Sequence, residues 1–287
     1  MKVCVIDVGS NSVRIMLAEN GLTIKKHNVV TRLGEGINNY PFLSVTAMNR
    51  TLDAIKTFCQ MAKDYGAKKT YIFATAAVRS AENKQEFIDL VKKETGLNLD
   101  VVSGENEAKL GLLGALNGRQ GGIIDVGGAS SEVTVANGVD ITYSHSLNLG
   151  SVRILDACGQ DKQKIISLCN GAVKEYGKVP KTTFYGIGGT ATTLASVAQG
   201  LDPYDPTKVH GYKLTKSAVL DLANMLNATP LEQRKKIKGL QPERAEVISG
   251  GAYLVYTIMD YIGIDYITVS ESDNLEGYLQ IKEGNDE

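Results

Sequence analysis

The sequence predicts an α/β fold built from two duplicated domains, and three observations carry that expectation. One phrase is written twice, as IDVGSNSVRIMLAENG from Ile6 and as IDVGGASSEVTVANG from Ile124. Asp7 matches Asp125, Gly9 matches Gly127 and Ser12 matches Ser130, with one extra residue in the first copy before Asn20-Gly21 matches Asn137-Gly138. Strand-like and helix-like stretches alternate along the chain, the pattern of an α/β domain with a mixed sheet. A turn-rich joint, Asn117–Gly122, precedes the second copy and divides residues 1–119 from 120–287, the last helix being free to pack back on the first domain. The two domains are expected to face each other across a cleft.

Each element has a local reason. Val3 to Ile6 reads as a buried strand, and from Val13 to Leu17 the apolar residues fall at every second position, with Gly9-Ser10-Asn11 as the turn of a hairpin. A long amphipathic helix follows, capped by Ser44, with Met48, Leu52, Ile55, Cys59 and Ala62 on one face and Gly66 ending it. TYIFATAAVRS reads as a strand running into a loop, NKQEFIDLVKKETG as a helix stopped by Gly96, and LNLDVVSG as the next strand. ENEAKLGLLGAL then opens a helix after Ser103-Gly104. Beyond the second hairpin come helices near Val152 to Leu155 and over Lys162 to Tyr176. TFYGIGGTATTLASVA reads as strand, glycine loop and helix; the remainder is mostly helical, with one further strand at YITVS.

Composition narrows the function. At 287 residues with a net charge of −1, the chain has length for a real core and no charge excess suited to double-stranded DNA, so no nucleic-acid partner is expected. The four cysteines, Cys4, Cys59, Cys158 and Cys169, form no CxxC, and the three histidines form no HExxH. Reduced thiols, no signal-peptide pattern and no run near the ~18 apolar residues of a membrane span predict a cytoplasmic protein without a membrane partner. A homodimer is compatible with the sequence.

The doubled hairpin carries the chemistry. An aspartate closing a buried strand points its carboxylate out of the sheet edge, where a hydrated cation can sit. The small residues after it let backbone N–H groups approach an anion closely. One such turn alone is an ordinary hairpin; two copies with matching Asp, Gly and Ser suit a clamp on a phosphate chain, with Mg²⁺ or Mn²⁺ between carboxylates and phosphate oxygens. GIGGT before a helix aims N–H groups at an anion or nucleotide, through Gly188, Gly189 and Thr190, yet lacks the third glycine of a dinucleotide fingerprint. Tight strand-to-helix packing explains it equally well. Gln233–Gly239, QRKKIKG, reads as a solvated basic turn, along which a polyanion could lie if Lys208, Lys213 and Lys216 share its face.

DVGSNSVR and DVGGASSE, with ATAAVRSAEN and SGENEAKL between them and GIGGTATTLA after, resemble the exopolyphosphatase and guanosine pentaphosphate phosphohydrolase family. The likeness continues through SLNLGSVRI, PERAEVISGGA and ITVSESDNLEGYL. It implies two ribonuclease-H-like domains of the actin-like ATPase kind, and hydrolysis of a terminal phosphoanhydride of inorganic polyphosphate or of guanosine pentaphosphate. It implies Glu107 as catalytic base and Arg79 as a phosphate-neutralising guanidinium. Gly9, Ser10, Asn11 and Ser12 would form one phosphate loop, and Gly127, Gly128, Ala129, Ser130 and Ser131 the other. Asp125 and Glu132 would sit by the metal, with Asp7 facing them. Arg14 and Arg32 are further candidates for phosphate contact. From the residues alone, Ser103 with Glu105 and Glu107 reads as helix capping, and Arg79 as a salt-bridge partner. Ala129 and Ser131 replace a glycine and a threonine of the family pattern, and Glu246 stands for an aspartate; an alanine obstructs only where φ > 0 is needed.

The expected activity is therefore an Mg²⁺-dependent exopolyphosphatase, with guanosine pentaphosphate phosphohydrolase as the alternative in the same class. Outside it stand a non-catalytic sensor binding guanosine tetra- or pentaphosphate, and a small-molecule kinase, which would form ADP.

Overall fold

The computed structural model describes residues 1–37, 40–138 and 140–284. The chain divides into two compact units, Met1–Leu110 with Asn274–Glu287, and Gly111–Asp273.

The first unit contains β1 (Lys2–Val8), β2 (Ser12–Glu19), β3 (Leu22–Val30), α1 (Val45–Tyr65), β4 (Lys69–Ala74), α2 (Ala76–Ser80), α3 (Lys84–Thr95) and β5 (Asp100–Val101). The helix α4 (Gly104–Leu116) begins in it, and α12 (Asn274–Gly284) belongs to it. The strands order as β3-β2-β1-β4-β5, antiparallel through the hairpins and parallel from β1 to β4 and β5. Strand alternation explains the layers. Cys4, Ile6 and Val8 of β1 pack with Ile55 and Phe58 of α1 and Phe87 of α3, whereas Val3 and Val5 pack with Leu275, Tyr278 and Leu279 of α12. The capping expected for α1 is present: Ser44 Oγ accepts from Ala47 N at 3.1 Å, and Gly66 takes φ 78°.

The second unit contains β6 (Gly121–Val126), β7 (Ser131–Asn137), β8 (Asp140–Leu147), α5 (Ser151–Cys158) and α6 (Lys162–Ala172), which runs into a 3-10 turn at Val173–Tyr176. There follow β9 (Phe184–Ile187), α7 (Gly188–Gln199), α8 (Pro206–Val209), β10 (Lys213–Thr215), α9 (Lys216–Ala228), α10 (Leu231–Arg234), α11 (Ile248–Ile262) and β11 (Tyr266–Val269). Its strands order as β8-β7-β6-β9-β11-β10. Without the antiparallel β10 this is the order, and the mix of directions, of the first unit. The likeness extends to detail: each second strand carries a register shift, at Leu17/Ala18 and at Val135/Ala136, the same distance beyond its aspartate. Two α/β sheets of one topology are what the doubled phrase predicts.

Several expectations need correction. Arg79 lies on the short helix α2, not in a loop, because Ala76, Ala77 and Val78 are buried and keep the backbone turning against the sheet. The strand expected in LNLDVVSG shortens to Asp100–Val101. The edge strand β10 was not expected, its three residues being too few to show a period. Among the described residues no helix is long and apolar enough to cross a membrane, and all four cysteines are free.

Candidate active site

In each unit the candidate residues come from the carboxyl ends of parallel strands, where α/β sheets open their crevices. In the first unit, β1 leads into Gly9–Ser12, β4 into Arg79 on α2, and β5 into Glu107 on α4. In the second, β6 delivers Asp125 and the turn Gly127–Ser130, and β9 leads into Gly188–Thr190.

The two loops are built alike. Gly9 N donates to Ser12 O at 3.0 Å, and Gly127 N donates to Ser130 O at 3.0 Å. Their carbonyls are turned back into the protein by the segment after each third strand. Asn11 O accepts from Thr31 N (3.0 Å) and Arg32 N (2.9 Å), and Ser10 O accepts from Gly34 N (2.8 Å). Gly128 O accepts from Val152 N (2.8 Å) and Arg153 N (3.3 Å), and Gly127 O from Ser151 N (2.9 Å). Gly150 must be glycine for this approach, since a Cβ there would lie 2.6 Å from the Gly128 carbonyl carbon. Carbonyl dipoles directed inward leave loop N–H groups as the polar face for an anion. In the first loop, Asn11 Oδ1 and Nδ2 are buried without a hydrogen-bond partner among the described residues, a costly arrangement unless a ligand completes it.

Charge separates the two hairpins. Asp7 is opposite Arg14 across the strand pair, and Arg14 donates to Asp7 Oδ2 from Nε at 3.1 Å and also from Nη2. The matching pair in the second unit is Asp125 opposite Glu132. Glu132 is buried, and its Oε1 accepts from Ser146 Oγ at 2.7 Å. Two carboxylates on adjoining strands make a donor set for a hard divalent cation. Mg²⁺ takes one or two carboxylates and fills its remaining positions with water and phosphate oxygens, so the residues fit that ion. Among the described residues no cluster of three His, Cys, Asp or Glu side chains has metal-binding geometry.

Glu107 is 8% exposed, and the cap at the start of its helix is Ser103 Oγ, which accepts from Asn106 N at 3.1 Å. The Glu107 carboxylate instead meets Arg79, whose Nη1 donates to Oε2 at 2.7 Å and to Val102 O at 3.1 Å. The glycine loop has a charge-based reason as well as a packing one. Gly188 has φ 74°, and a Cβ there would lie 2.4 Å from Asp125 Oδ1; a Cβ on Gly189 would lie 2.3 Å from the Arg244 guanidinium. Thr190 Oγ1 donates to Val126 O at 2.6 Å and ties the start of α7 to the end of β6. Ala129 is buried, and the left-handed non-glycine residues are Asn20, Arg32 and Asn117 among those described, so the alanine does not obstruct its loop. Ser131 is fully buried, its oxygens 3.0 Å from Tyr176 Oη, and burial pushes the Tyr176 hydroxyl up so that it remains a donor.

The basic stretch is not a solvated turn throughout. Arg234 is buried and donates to Ala245 O at 2.8 Å and to Gln160 Oε1 at 3.0 Å. Lys236 and Lys238 line a cavity of about 350 Å³ with Tyr204 and Gln241. The other lysines named for a polyanion track are engaged locally: Lys208 with Asp205, Lys216 with Asp260, and Lys213 over the Tyr266 ring. No role follows from the sequence for Arg50, Ser146 or Tyr176, because each meets its partner through a segment distant in the chain, and Ser146 and Arg244 stand in SLNLGSVRI and PERAEVISGGA without a role of their own.

A family model described as the Ppx/GppA phosphatase family matches residues 14–284. The chain is 33% identical to a bifunctional 3-dehydroquinate synthase/phosphatase of Fusobacterium nucleatum, over 96% of this chain and 45% of that protein. It is 29% identical to exopolyphosphatase 2 of Mycobacterium tuberculosis, over 96% and 97%. It is 30% identical to a guanosine-5'-triphosphate,3'-diphosphate pyrophosphatase of Vibrio cholerae, over 96% and 58%. The chain thus spans about half the length of the first and third of these relatives. An exopolyphosphatase structure from Cytophaga hutchinsonii superposes with a TM-score of 0.88 at 25% identity, covering 99% of this chain and 98% of that one.

Proposed function

Since the chain belongs to the Ppx/GppA phosphatase family, we propose that it is a cytoplasmic exopolyphosphatase, hydrolysing the terminal phosphoanhydride of inorganic polyphosphate to release orthophosphate. The observation that carries this reading is the twin loop: two turns of one design, each with its carbonyls tied inward and its small residues presented to an anion. The relative matched over 97% of its length bears the name exopolyphosphatase, which favours polyphosphate over the nucleotide substrate.

In this mechanism Ser10–Ser12 and Gly128–Ser130 take phosphate oxygens through backbone N–H and hydroxyl groups, while the Gly9 and Gly127 N–H groups close their turns on Ser12 O and Ser130 O. Ser131, buried under Tyr176, sets the loop's shape. Asp125 and Glu132 would hold Mg²⁺ (or Mn²⁺), which neutralises charge on the phosphate oxygens when bound. Asp7 is the weaker candidate for that ion, because Arg14 offsets its charge. Glu107 takes a proton from water as its oxygen attacks the terminal phosphorus and the bridging P–O bond breaks, the bridging oxygen leaving on the shortened chain. Arg79 orients Glu107 and stands ready to share its guanidinium with a phosphate oxygen.

The test is orthophosphate release with Mg²⁺ and with EDTA from long polyphosphate, tripolyphosphate, guanosine pentaphosphate and ATP. Release from polyphosphate that EDTA abolishes supports the proposal. Release from guanosine pentaphosphate alone moves the assignment to the other activity of the family.

A further inference from the structure

We propose that Arg50, on α1, is a positioning residue that braces the first phosphate loop from outside the site, an inference that rests on the phosphate-binding role proposed for Gly9–Ser12. Its guanidinium reaches over the turn after β3. Nε donates to Thr31 O at 2.5 Å, and Nη2 lies 3.4 Å from Arg32 O and 3.0 Å from Glu35 Oε1. On its other side the same turn holds the loop, through Thr31 N and Arg32 N to Asn11 O and Gly34 N to Ser10 O. The chain of contacts therefore runs from Arg50 through the Thr31–Arg32 peptide group, whose carbonyl accepts from the guanidinium and whose N–H donates to the Asn11 carbonyl that must face away from an anion.

The second unit shows why a brace is needed. There the loop carbonyls are held by Ser151, Val152 and Arg153, the first turn of α5, whose N–H groups have no acceptor within their own helix and whose geometry the helix itself maintains. In the first unit the same task falls to a non-helical turn, in which Arg32 adopts φ 50°, a left-handed conformation unfavourable for a residue with a Cβ. The turn's own hydrogen bonds are single i to i+3 contacts, Glu35 N to Arg32 O at 3.1 Å and Ile37 N to Gly34 O at 3.4 Å, and none of them engages the Thr31 carbonyl that Arg50 holds. A planar guanidinium with several donors can grip two successive carbonyls at once, which a lysine ammonium cannot do with the same fixed geometry. Thr31 Oγ1 and the Asn11 side-chain amide are buried beside this junction without partners among the described residues.

The experiment compares Arg50→Ala, Arg50→Lys and Glu35→Gln in the full chain. Glu35→Gln removes the ion pair and keeps both carbonyl contacts. Orthophosphate release, thermal unfolding and amide hydrogen exchange are read on each. Arg50→Ala is expected to lower kcat/KM by up to about 10²-fold, as misplacement of a positioned group can, with KM carrying most of the change because the loop must be ordered anew on binding. The Thr31, Arg32 and Gly34 amides are expected to exchange about tenfold faster, since opening the turn exposes them. Millimolar guanidinium chloride, against sodium chloride at equal ionic strength, should restore activity to Arg50→Ala. Arg50→Lys should recover only part, and Glu35→Gln should behave as the wild type. Wild-type KM with wild-type amide protection in Arg50→Ala overturns the proposal. So does a loss of activity that tracks a lower Tm and ignores guanidinium, the outcome of a purely structural role. If the wild type releases no phosphate from any substrate, the functional assignment fails, while amide exchange in Arg50→Ala still decides the brace.

Discussion

Replacing Glu107 with glutamine separates catalysis from binding with little change of shape. The amide is nearly isosteric, and its oxygen can still accept the 2.7 Å bond from Arg79 Nη1, so the guanidinium keeps its place. What disappears is the basic oxygen and one negative charge. A general base contributes about 10²–10⁴-fold, which at 1.36 kcal/mol per tenfold is about 2.7–5.4 kcal/mol of transition-state stabilisation. The stability cost is far smaller. The side chains of Arg79 and Glu107 are 27% and 10% exposed, so solvent screens the arginine end and the pair contributes about 1 kcal/mol. The expected result is a loss of turnover of 10²-fold or more, polyphosphate binding within about threefold of the wild type, and a Tm lowered by only about 2–4 °C. Orthophosphate release, equilibrium binding of polyphosphate and thermal unfolding measure the three. Turnover within about tenfold of the wild type would refute Glu107 as the base, and loss of binding in parallel with turnover would show that the substitution had displaced Arg79.

Gly188→Ala and Gly189→Ala should differ although they are neighbours. The first forces a Cβ to 2.4 Å from Asp125 Oδ1 at φ 74°, so it should displace the carboxylate and raise the Mg²⁺ concentration for half-maximal activity by about tenfold or more. The second first meets the far end of the long Arg244 side chain, which can swing aside, and should cost less than about threefold; equal effects would deny Asp125 its role. Glu132→Gln should likewise raise the Mg²⁺ requirement, and Ser146→Ala should do so more weakly, because it removes one hydrogen bond to Glu132 Oε1; a magnesium titration of phosphate release with unchanged half-saturation would exclude both. Alkaline unfolding should expose the buried thiols. Burial pushes Cys4 up to about 11 and Cys169 up to about 12 from an ordinary 9.0, so the unfolded chain releases their protons first. Stability is then lost as pH rises from 9 towards those values, by up to about 1.4 kcal/mol per pH unit for each thiol. Denaturant unfolding at pH 8 and pH 10.5 checks this, and Cys169→Ala should flatten the dependence.

Much of the fold was legible because its signals are local. The Asp-x-Gly turns between alternating stretches specify hairpins, and the structure builds both, down to the same register shift in each second strand. Ser44 and Gly66 bound α1 because one hydroxyl and one left-handed glycine suffice to end a helix. The failures are equally local in origin. ATAAVRS lacks a helical stripe of any length and so reads as a loop; what makes α2 helical is burial of its alanines against the sheet. Arg234 looked like part of a solvated run and is instead buried on Ala245 O and Gln160 Oε1, partners that no window around it contains.

The sequence alone therefore determined the duplicated α/β plan, the two small-residue turns, and the acidic and basic residues placed at strand ends. These follow from side-chain periodicity and from backbone angles that few residue types adopt, both properties of a few neighbouring positions. Tertiary structure decided which charges meet. Matching hairpins became unlike, since Asp7 is neutralised by Arg14 whereas Asp125 adjoins Glu132. Glu107 became the partner of Arg79, Gly188 the floor beneath Asp125, and Arg50 the outer support of a loop almost forty residues before it. Each of those outcomes depends on distances of a few ångströms between segments far apart in the chain, and only the packing of strands and helices sets such distances.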